Sequence, residues 1–541
     1  MASSNTTEGE TEESRNSEES EEVAISCSSS SLPLETCYGT LPDYLQHCLM
    51  YCSILPDYHG IPKGKLIRLL VAQGLVQEKA GRIMEDVAEE NLYELISLGM
   101  IQLKEHHSDS RGTRFQVSSP AREFCVRQME EGKFKVFRVF ICSDITQLIS
   151  HMNNHQVSSL FLLGQNLSQH EGNWLQFNGA NSLRVLDLER TKIKTLPDEV
   201  GDMINLLYLG LNHTDIEELP EGLGKLKALQ TFDIRWCRHL TALPNDVLCL
   251  VRLRHLKMFK SMYQDVHGMK LPAGIGSLND LLTLTGIHAG GGIAEELGNL
   301  IRLRKLGVMD VAEENISELL ASITKMSDLL SLSLEGKDTF SGGNPMTFCG
   351  GNLILPDSFS PPPFLQKLRL EGVGGKLPTW FGSLERLTNL RLGNSHISED
   401  SLLVLQLLPN LENLSLWNAY DAKKIGKEFC CIGGFPKLQV LTIASRVLEK
   451  WIEIEEGALL SLKYLHLRNC LHLRMLPEGL QFLTNLELLD LLPLPDDLAE
   501  RLKPDGGEEN YKIRHIPEVT IMTNSMVKEY AQAKREGSQC E

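Results

Sequence analysis

Few positions in this 541-residue chain carry the residue types and spacings that catalysis requires. No G-x-S-x-G, H-E-x-x-H or paired C-x-x-C motif is present. The segment from Gly60 to Leu66 is similar to a phosphate-binding loop, but it is one residue short and has leucine where a magnesium-binding hydroxyl should be. The sequence therefore predicts no catalytic site.

Cysteine and histidine pairs are the remaining candidates for metal chemistry. Cys48 and Cys52 share a helical face, two adjacent histidines follow Glu105, and Cys430 precedes Cys431, but no pair forms part of a four-ligand zinc set. The thirteen cysteines have no repeated spacing, which indicates reduced thiols rather than a disulfide framework. We expect no metal, no cofactor and no enzymatic activity.

A different set of residues has the chemistry of a protein interface. These residues alternate with leucines, and because alternate residues of a strand point to opposite faces, they are predicted to share the outer face of a sheet. Tryptophan, phenylalanine and arginine are the types that anchor protein interfaces. The candidate protein-binding residues are Asp187, Glu189, Asn212, Asp233, Arg235, Trp236, Lys257, Phe259, Arg369, Glu371, Arg391, Trp417, His466 and Arg468. The alternative is that they form only a solvated face.

The elements that position these residues are leucine-rich repeats. The pattern L-x-x-L-x-L, with substitutions, occurs fourteen times between Val157 and Leu491, at intervals of 22 to 28 residues apart from one of 36. A single unit cannot bury its leucines, so neighbouring units must stack, and the parallel strands form the concave face of a solenoid. The predicted fold class is therefore α/β, a horseshoe of parallel strands. The long interval contains two adjacent glycines and three consecutive prolines, which indicate a loop insertion.

Most of the better repeats continue with threonine or cysteine and then a Leu-Pro pair. Thr191, Thr214, Cys237 and Cys470 hold this position. We expect them to satisfy the amides of a buried turn and to be structural. The segment from Phe134 to Cys142 is predicted to cap one end of the solenoid, and an irregular strand from Ile513 to Ile521 the other, with a surface helix at 524–535.

The residues before the repeats have a different periodicity. Helical spacing covers about 41–56, then a segment after Pro62, then 84–97, and alternation on either side of a polar turn predicts a β-hairpin at 101–103 and 115–117. A further helix is expected at about 120–130. These elements make a small winged-helix-like domain.

Composition limits the location and partners of the chain. Its net charge is −18, and its first 22 residues hold eight glutamates against one arginine, so this segment is predicted to be disordered. The sequence has neither a run of 18 apolar residues nor a secretory signal, which favours a cytoplasmic protein without a membrane span. The predicted domains are an acidic tail at 1–36, the winged-helix-like domain at 37–130, the repeats at 131–503, and a cap and tail at 504–541.

The helical region and the repeats together resemble plant nucleotide-binding leucine-rich-repeat disease-resistance receptors. The resemblance rests on the run from Leu41 to Pro56, on Leu66-Ile-Arg-Leu69 with Ala72-Gln-Gly-Leu75, and on Glu85-Asp-Val-Ala-Glu-Glu90 with Leu92-Tyr-Glu-Leu95. It covers about residues 41–520. It implies an intracellular immune receptor whose repeats sense pathogen effectors or modified host proteins.

Departures from the family pattern change what the resemblance implies. The sequence has no Walker motif, and Val117 is followed by two serines where the family has a His-Asp pair, so no nucleotide binding is carried over. We expect a truncated relative whose concave face binds an effector, a guarded host protein or a full-length receptor. One alternative is a general repeat scaffold without an immune role. DNA binding is disfavoured because residues 41–130 hold ten Lys and Arg against twelve Asp and Glu.

Overall fold

The computed structural model describes residues 34–56, 60–104, 113–131, 139–142, 157–162, 180–259, 268–337, 353–397, 399–420 and 422–537. The predicted hairpin turn, most of the predicted loop insertion and residues 1–33 of the predicted disordered tail lie outside these ranges. The tail boundary was wrong, because residues 34–36 already belong to a helix. That helix is held in place by Tyr38, whose ring lies 5.0 Å from the ring of Phe124, centroid to centroid.

The winged-helix region, residues 34–131, forms around its own apolar core. The predicted helices and hairpin are confirmed, and Ile101 pairs with Val117 in an antiparallel ladder. The sequence did not predict a two-residue strand that pairs with the outer side of the hairpin. The elements are α1 Leu34–Gly39, α2 Asp43–Ile54, β1 Ile61–Pro62, α3 Lys63–Gln73, α4 Met84–Ser97, β2 Ile101–Lys104, β3 Arg114–Val117 and α5 Ser119–Glu130.

The repeats form a sheet of 16 parallel strands among the described residues. Each of the fourteen leucine patterns supplies one strand, and the two predicted caps supply the edge strands, although the last strand begins five residues later than expected. The strands are β4 Val139–Cys142, β5 Ser159–Leu162, β6 Val185–Asp187, β7 Tyr208–Gly210, β8 Thr231–Arg235, β9 His255–Phe259, β10 Thr283–His288, β11 Lys305–Val311, β12 Ser331–Gly336, β13 Lys367–Glu371, β14 Asn389–Gly393, β15 Asn413–Trp417, β17 Val440–Ala444, β19 Tyr464–Arg468, β20 Leu488–Leu494 and β21 Glu518–Thr523.

The leucines align from strand to strand because the register is kept along the array. Leu332 of β12 is opposite Leu368 of β13, which is opposite Leu390 of β14. All three are buried in one continuous core that runs through the repeats. Each fully buried leucine contributes about 1.5–3 kcal/mol relative to an exposed one. The stacking of neighbouring repeats therefore stabilises one continuous sheet, whose outer face is long.

The return segments lie on the other side of the core. Leu-Pro pairs precede five of the 3-10 helices, because proline has the extended backbone that leads into the first turn. A second, two-stranded ladder joins two of these segments. The remaining elements are α6 Ile293–Glu296, α7 Glu313–Thr324, α8 Glu399–Leu405, β16 Lys424–Ile425, β18 Lys450–Trp451, α9 Asp496–Arg501 and α10 Asn524–Gly537, and the 3-10 helices Ala180–Ser182, Asp198–Asp202, Glu221–Lys225, Asn245–Cys249, Ile275–Ser277, Leu297–Asn299, Thr379–Ser383, Lys427–Cys430, Glu478–Phe482 and Asn510–Lys512.

The turn residues after the strands are buried and hydrogen-bonded to the backbone. The hydroxyl of Thr191 donates to the carbonyl oxygen of Leu188 at 2.8 Å, and that of Thr214 donates to Leu211 at 2.8 Å. The Cys237 thiol donates to the same Leu211 oxygen at 3.0 Å. These groups therefore satisfy strand-end carbonyls, and the backbone amides of Thr214 and Ser445 also lie within hydrogen-bonding reach of the Cys237 and Cys470 thiols. Burial raises the pKa of the Cys470 thiol to about 11, which keeps it protonated near neutral pH.

Candidate protein-binding site on the concave face

The concave face is built from the strand residues that alternate with the buried leucines. Strand register places Lys305, Ser331 and Lys367 in one row across β11, β12 and β13. It also places Arg369 of β13 beside Arg391 of β14. The predicted residues therefore do come from neighbouring strands of one sheet face. How much of that face is open depends on the winged-helix region.

The winged-helix region covers the concave face of the first repeats. Phe161, Val185 and Tyr208, from β5, β6 and β7, are at most 3% exposed and belong to the apolar core of the winged-helix region. The Tyr51 hydroxyl lies 3.1 Å from that of Ser159, and the side chain of Gln73 also bonds Ser159. The two parts of the described chain thus share a core. We call this contact the docking interface.

Ion pairs surround the shared core on the side of α3. The Lys65 ammonium lies 2.6 Å from a carboxylate oxygen of Asp187 and 2.6 Å from one of Glu189. Burial opposes the charge of Lys65, but Asp187, Tyr208 and Glu189 together outweigh it and raise the Lys65 pKa above its usual range. Two of the predicted partner-binding residues therefore bind the winged-helix region instead.

A second group of ion pairs joins the start of α4 to the repeats. Glu85 accepts hydrogen bonds from the guanidinium of Arg254 at 2.8 and 2.5 Å, and lies 3.0 Å from Nε2 of His255. Asp86 pairs with Arg304 beside it. Burial lowers the pKa of His255 to about 4, so this histidine is neutral at pH 7. Burial opposes ionisation of Glu85, but His255 and Arg254 lower its pKa to about 2.

Asp233 connects the docking interface to the next part of the concave face. Arg235 holds both of its oxygens at 2.7 Å, and the Lys257 ammonium lies 3.4 Å away. Arg68 of α3 approaches the same carboxylate at 4.0 Å. Burial opposes the negative charge, yet the three cations, of which Lys257 acts most strongly, hold the pKa of Asp233 well below its usual range. The charge of Asp233 is therefore satisfied within the chain.

Six of the fourteen candidate residues on the concave face are buried. Side chains from the repeats themselves, together with the winged-helix region, bury six of the fourteen, so in this conformation these six have little surface for another protein. His466, for example, is 1% exposed and lies 2.9 Å from Asp490, which also bonds Arg468. The six are Asn212, Asp187, Asp233, Lys257, Glu371 and His466. The remaining eight are accessible to different extents.

Three accessible rings form an aromatic ladder at the ends of β7, β8 and β9. The indole of Trp236 stacks on His213 with centroids 5.3 Å apart and meets Phe259 edge to face at 4.8 Å. Trp236 follows its strand rather than lying in it, and it has a φ of 64°. This left-handed backbone recurs at the equivalent turns of other repeats, at Arg190, His213, Asn394, Asn418 and Asn469, and it costs an aromatic residue more than it costs asparagine. The ladder is therefore held in place at an energetic cost, as is common at functional sites.

Further along the face, Trp417 has a cationic neighbour. The Arg391 guanidinium lies 4.9 Å from the centroid of the Trp417 ring. Arg391 also donates to a Glu371 oxygen at 2.9 Å, and Arg369 donates to the same oxygen at 3.1 Å. An aromatic ring and two oriented cations on rigid strands form a surface that could recognise a protein.

Sequence reasoning missed two lysines that belong to this surface. Lys305 and Lys367 are both exposed on the concave face, next to Arg369 and Arg391. They occupy the position just before the second leucine of their repeats, whereas the sequence analysis selected positions after it. Alternation alone could have found them. We call Lys305, Lys367, Arg369 and Arg391 the basic cluster.

The structure gives no support for the other chemistry that the sequence analysis considered. Gly64 and Lys65 lie within helix α3, so the segment that is similar to a phosphate-binding loop is not a loop. Among the described residues, no group of three or more His, Cys, Asp or Glu side chains could hold a metal ion. In the same ranges, no helix combines the length and the apolar character needed to cross a membrane.

Family models match both parts of the fold. Residues 156–453 match the model of a leucine-rich repeat region, and residues 54–124 match that of the disease resistance protein winged helix domain. Among solved structures, a leucine-rich repeat protein of Leptospira interrogans is 17% identical, with a TM-score of 0.45, over 70% of this chain and 99% of its own.

Curated relatives extend the similarity across both regions. The probable disease resistance RPP8-like protein 2 of Arabidopsis thaliana is 28% identical over 518 residues, which are 90% of this chain and 55% of that protein. The disease resistance protein RPM1 of the same plant is 28% identical over 506 residues, or 89% of this chain and 52% of that protein. The chain therefore spans about half the length of the curated relatives it matches.

Proposed function

Since this chain belongs to the leucine-rich-repeat proteins of the plant disease-resistance family, we propose that it is a partner-sensing module in plant defence. In this proposal the open part of the concave face binds a protein, and the winged-helix region stays docked on the first repeats. The partner is a pathogen effector, a guarded host protein or a full-length receptor, and the encounter takes place in the cytoplasm. The chain itself performs no catalytic step.

The aromatic ladder is the observation that carries this proposal. Trp236 and Phe259 are partly exposed beside the docking interface, although large aromatic side chains usually gain stability from full burial. The left-handed backbone belongs to this turn of the repeat, and tryptophan adopts it at a higher cost than the asparagines of equivalent turns. Exposed aromatic residues on a rigid sheet are the typical anchors of protein interfaces. We therefore assign the ladder and Trp417 as anchors for the partner.

The docking interface supports a protein partner over a nucleic acid. DNA binding depends on cations that contact phosphates. Lys65 and Arg68 of α3 face the acids Asp187, Glu189 and Asp233 and are therefore not available for such contacts. The interface also gives partner binding a way to influence the winged-helix region. Arg235 directly precedes Trp236 in the chain. Its guanidinium bonds Asp233, which in turn lies close to Arg68 of α3.

The test is co-purification from the plant that carries the protein, with pathogen growth measured in parallel. The full chain should recover a discrete protein partner, and a Trp236→Ala, Phe259→Ala, Trp417→Ala variant should lose it while keeping its circular dichroism spectrum. A matched control replaces three exposed apolar residues away from the concave face, Ile204, Val251 and Ile301, by alanine. Equal recovery by the two variants would contradict the assignment of the anchors.

Pathogen growth separates the immune role from the general scaffold. Plants that lack the protein should support more pathogen growth, and the wild-type chain should restore resistance whereas the aromatic variant should not. Partner binding without any effect on pathogen growth would favour a scaffold that has no role in defence.

A further inference from the structure

We call the middle of the concave face, between the docking interface and Trp417, the groove. Its floor consists of small residues on three adjacent strands: Thr285 of β10, Gly307 of β11, and Ser331 and Ser333 of β12. A Cβ atom at position 307 would lie only 3.3 Å from the Cβ of Thr285, so glycine keeps this floor low. The groove is therefore open to an extended chain that crosses the strands.

Cations line this groove in excess. The basic cluster contributes four positive charges, and Glu371 compensates only Arg369 and Arg391. Neither Lys305 nor Lys367 forms an ion pair with an acid of the described chain within 4.0 Å, although Glu89 and Glu412 lie near enough to Lys367 to attract it weakly. Glu335 lies beside Glu371 at the far end of its strand. The positive charge is therefore concentrated around the two lysines.

The cations of the groove repel one another. Lys305 is exposed on the concave face, yet the surrounding protein reduces the hydration of its ammonium group. This loss of hydration, together with Lys367, Arg68, Arg235 and Arg369, lowers the pKa of Lys305 to about 8. The same effects, with Lys63 as the nearest cation, lower the pKa of Lys367. Such unrelieved repulsion is expected where the protein keeps charges for a ligand.

We propose that the basic cluster binds an acidic segment of the protein partner, a stretch of chain with several closely spaced aspartate or glutamate side chains. This inference rests on the proposed function, and it specifies the chemistry of the partner. The ligand bonds Lys305 and Lys367, which form no ion pair within the described part of the chain, and then competes with Glu371 for the two arginines. Trp417, which lies against Arg391, packs on apolar side chains that flank the acidic stretch.

The spacing of the groove fits an extended peptide. Lys305 and Lys367 lie two strands apart, which corresponds to about 10 Å between their backbones. Carboxylates at alternate positions of an extended peptide lie about 7 Å apart, and flexible lysine side chains can span the difference. The arginines offer planar forks that suit carboxylates. The net charge of −18 disfavours acidic ligands elsewhere, so attraction to the groove is local.

The experiment uses the full chain and a fluorescein-labelled octaglutamate peptide, with binding followed by fluorescence anisotropy at low and near-physiological salt. We expect saturable binding that a Lys305→Gln, Lys367→Gln variant weakens by about tenfold or more. The matched control, Lys227→Gln with Lys376→Gln, removes two exposed charges outside the concave face and should change the affinity less than twofold. A labelled octalysine peptide should not bind at the groove.

Three results would overturn the inference. One is unchanged octaglutamate affinity in the Lys305, Lys367 variant, and another is an equal loss in the control variant, which would indicate diffuse attraction. The third is displacement of the peptide by inorganic tripolyphosphate at lower concentrations than by unlabelled octaglutamate, which would assign the site to phosphate groups. A loss of octaglutamate binding can be distinguished from unfolding. The Lys305→Gln, Lys367→Gln variant relieves the repulsion between the cations of the groove, so its melting temperature should be equal to that of the wild-type chain or higher.

Failure of this inference is distinguishable from failure of the proposed function. If octaglutamate does not bind but the aromatic variant still loses its partner in plants, only the acidic chemistry is wrong. If the aromatic variant keeps its partner while the lysine variant loses it, the anchors are wrong and the groove is the site.

Discussion

The Lys65 ammonium lies 2.6 Å from the carboxylate of Asp187, and this ion pair joins α3 of the winged-helix region to β6 of the repeats. Asp187 is 3% exposed. A buried pair of this kind contributes little compared with apolar residues of the same volume, but the loss of one partner leaves an uncompensated charge. The pair therefore makes the docking interface specific, because any other placement of α3 would leave both charges unsatisfied.

Replacement of Lys65 should destabilise the whole docking interface. Lys65→Met keeps the length of the side chain and leaves Asp187 without its cation, so we expect a loss of about 3–5 kcal/mol in the free energy of unfolding, measured by urea denaturation. Lys65→Met combined with Asp187→Leu should recover most of this loss. Lys194→Met breaks the exposed pair with Glu217 and should cost less than about 1 kcal/mol. Equal losses in the two single variants would refute a special role for the buried pair.

Acid should weaken the contact between α4 and the repeats. The pKa of His255 is lowered to about 4 in the fold, so the unfolded chain takes up its proton first, and stability is lost as the pH falls from about 6.5 toward 4. The pKa of Glu85 is lowered to about 2, so its contribution is present above its ordinary pKa of 4.5 and is lost below it. Both groups act in the same direction.

We therefore expect the urea midpoint of the wild-type chain to fall continuously from about pH 7 to about pH 4. The Glu85→Gln, His255→Gln variant removes both titrating groups and should be less stable at pH 7 but less sensitive to acid. An identical dependence on pH in the two proteins would place the responsible groups elsewhere in the molecule.

Trp236 should be replaceable without a large loss of stability. Asparagine tolerates the left-handed backbone that is found at this position, and the turns at Asn394 and Asn418 already use it. Trp236→Asn loses ring contacts of about 0.5–1.5 kcal/mol and relieves a backbone cost of about 1–3 kcal/mol. We expect the melting temperature to stay the same or rise, while recovery of the partner falls. A clear drop in melting temperature would mean that the ring is structural.

The repeats could be predicted from the sequence because their signal is redundant. Fourteen copies of one pattern fix which residues are buried, and an error outside them, such as the predicted start of the last strand, does not affect the repeats. The helices of the winged-helix region were predicted because their apolar spacing is local. The alternation that placed Arg369 and Arg391 on one face would have placed Lys305 there as well.

The docking interface could not be predicted from one sequence. It depends on which cation of α3 meets which acid of the repeats, and Lys65 is about 120 residues distant from Asp187 in the chain. No periodicity records such a pairing. Asp233 and Lys257 were therefore placed on the outer face from their own repeats alone. In the structure both are buried where α3 covers that face.

Replacement of Glu371 should change the stability of the protein and the ligand affinity of the basic cluster in opposite directions. Its Oε1 atom accepts from Arg369 at 3.1 Å and from Arg391 at 2.9 Å, so it both fixes the two guanidinium groups and cancels part of their charge. Glu371→Gln should lower the free energy of unfolding by about 1–3 kcal/mol, because two charge-assisted hydrogen bonds are weakened. The same change should tighten the binding of octaglutamate by releasing both arginines to the ligand.

The Glu371→Gln variant is informative because its stability should fall while its affinity for octaglutamate should rise. A protein that only became less ordered would lose stability and affinity together, whereas a groove with a ligand role should gain affinity as it loses stability. Asp280→Asn provides the control, because it removes an exposed acid that pairs with Arg302 outside the groove and should change neither quantity by much. Weaker octaglutamate binding by Glu371→Gln would mean that the arginines need Glu371 for their orientation more than they need free charge, and that the ligand carboxylates are held by the lysines alone.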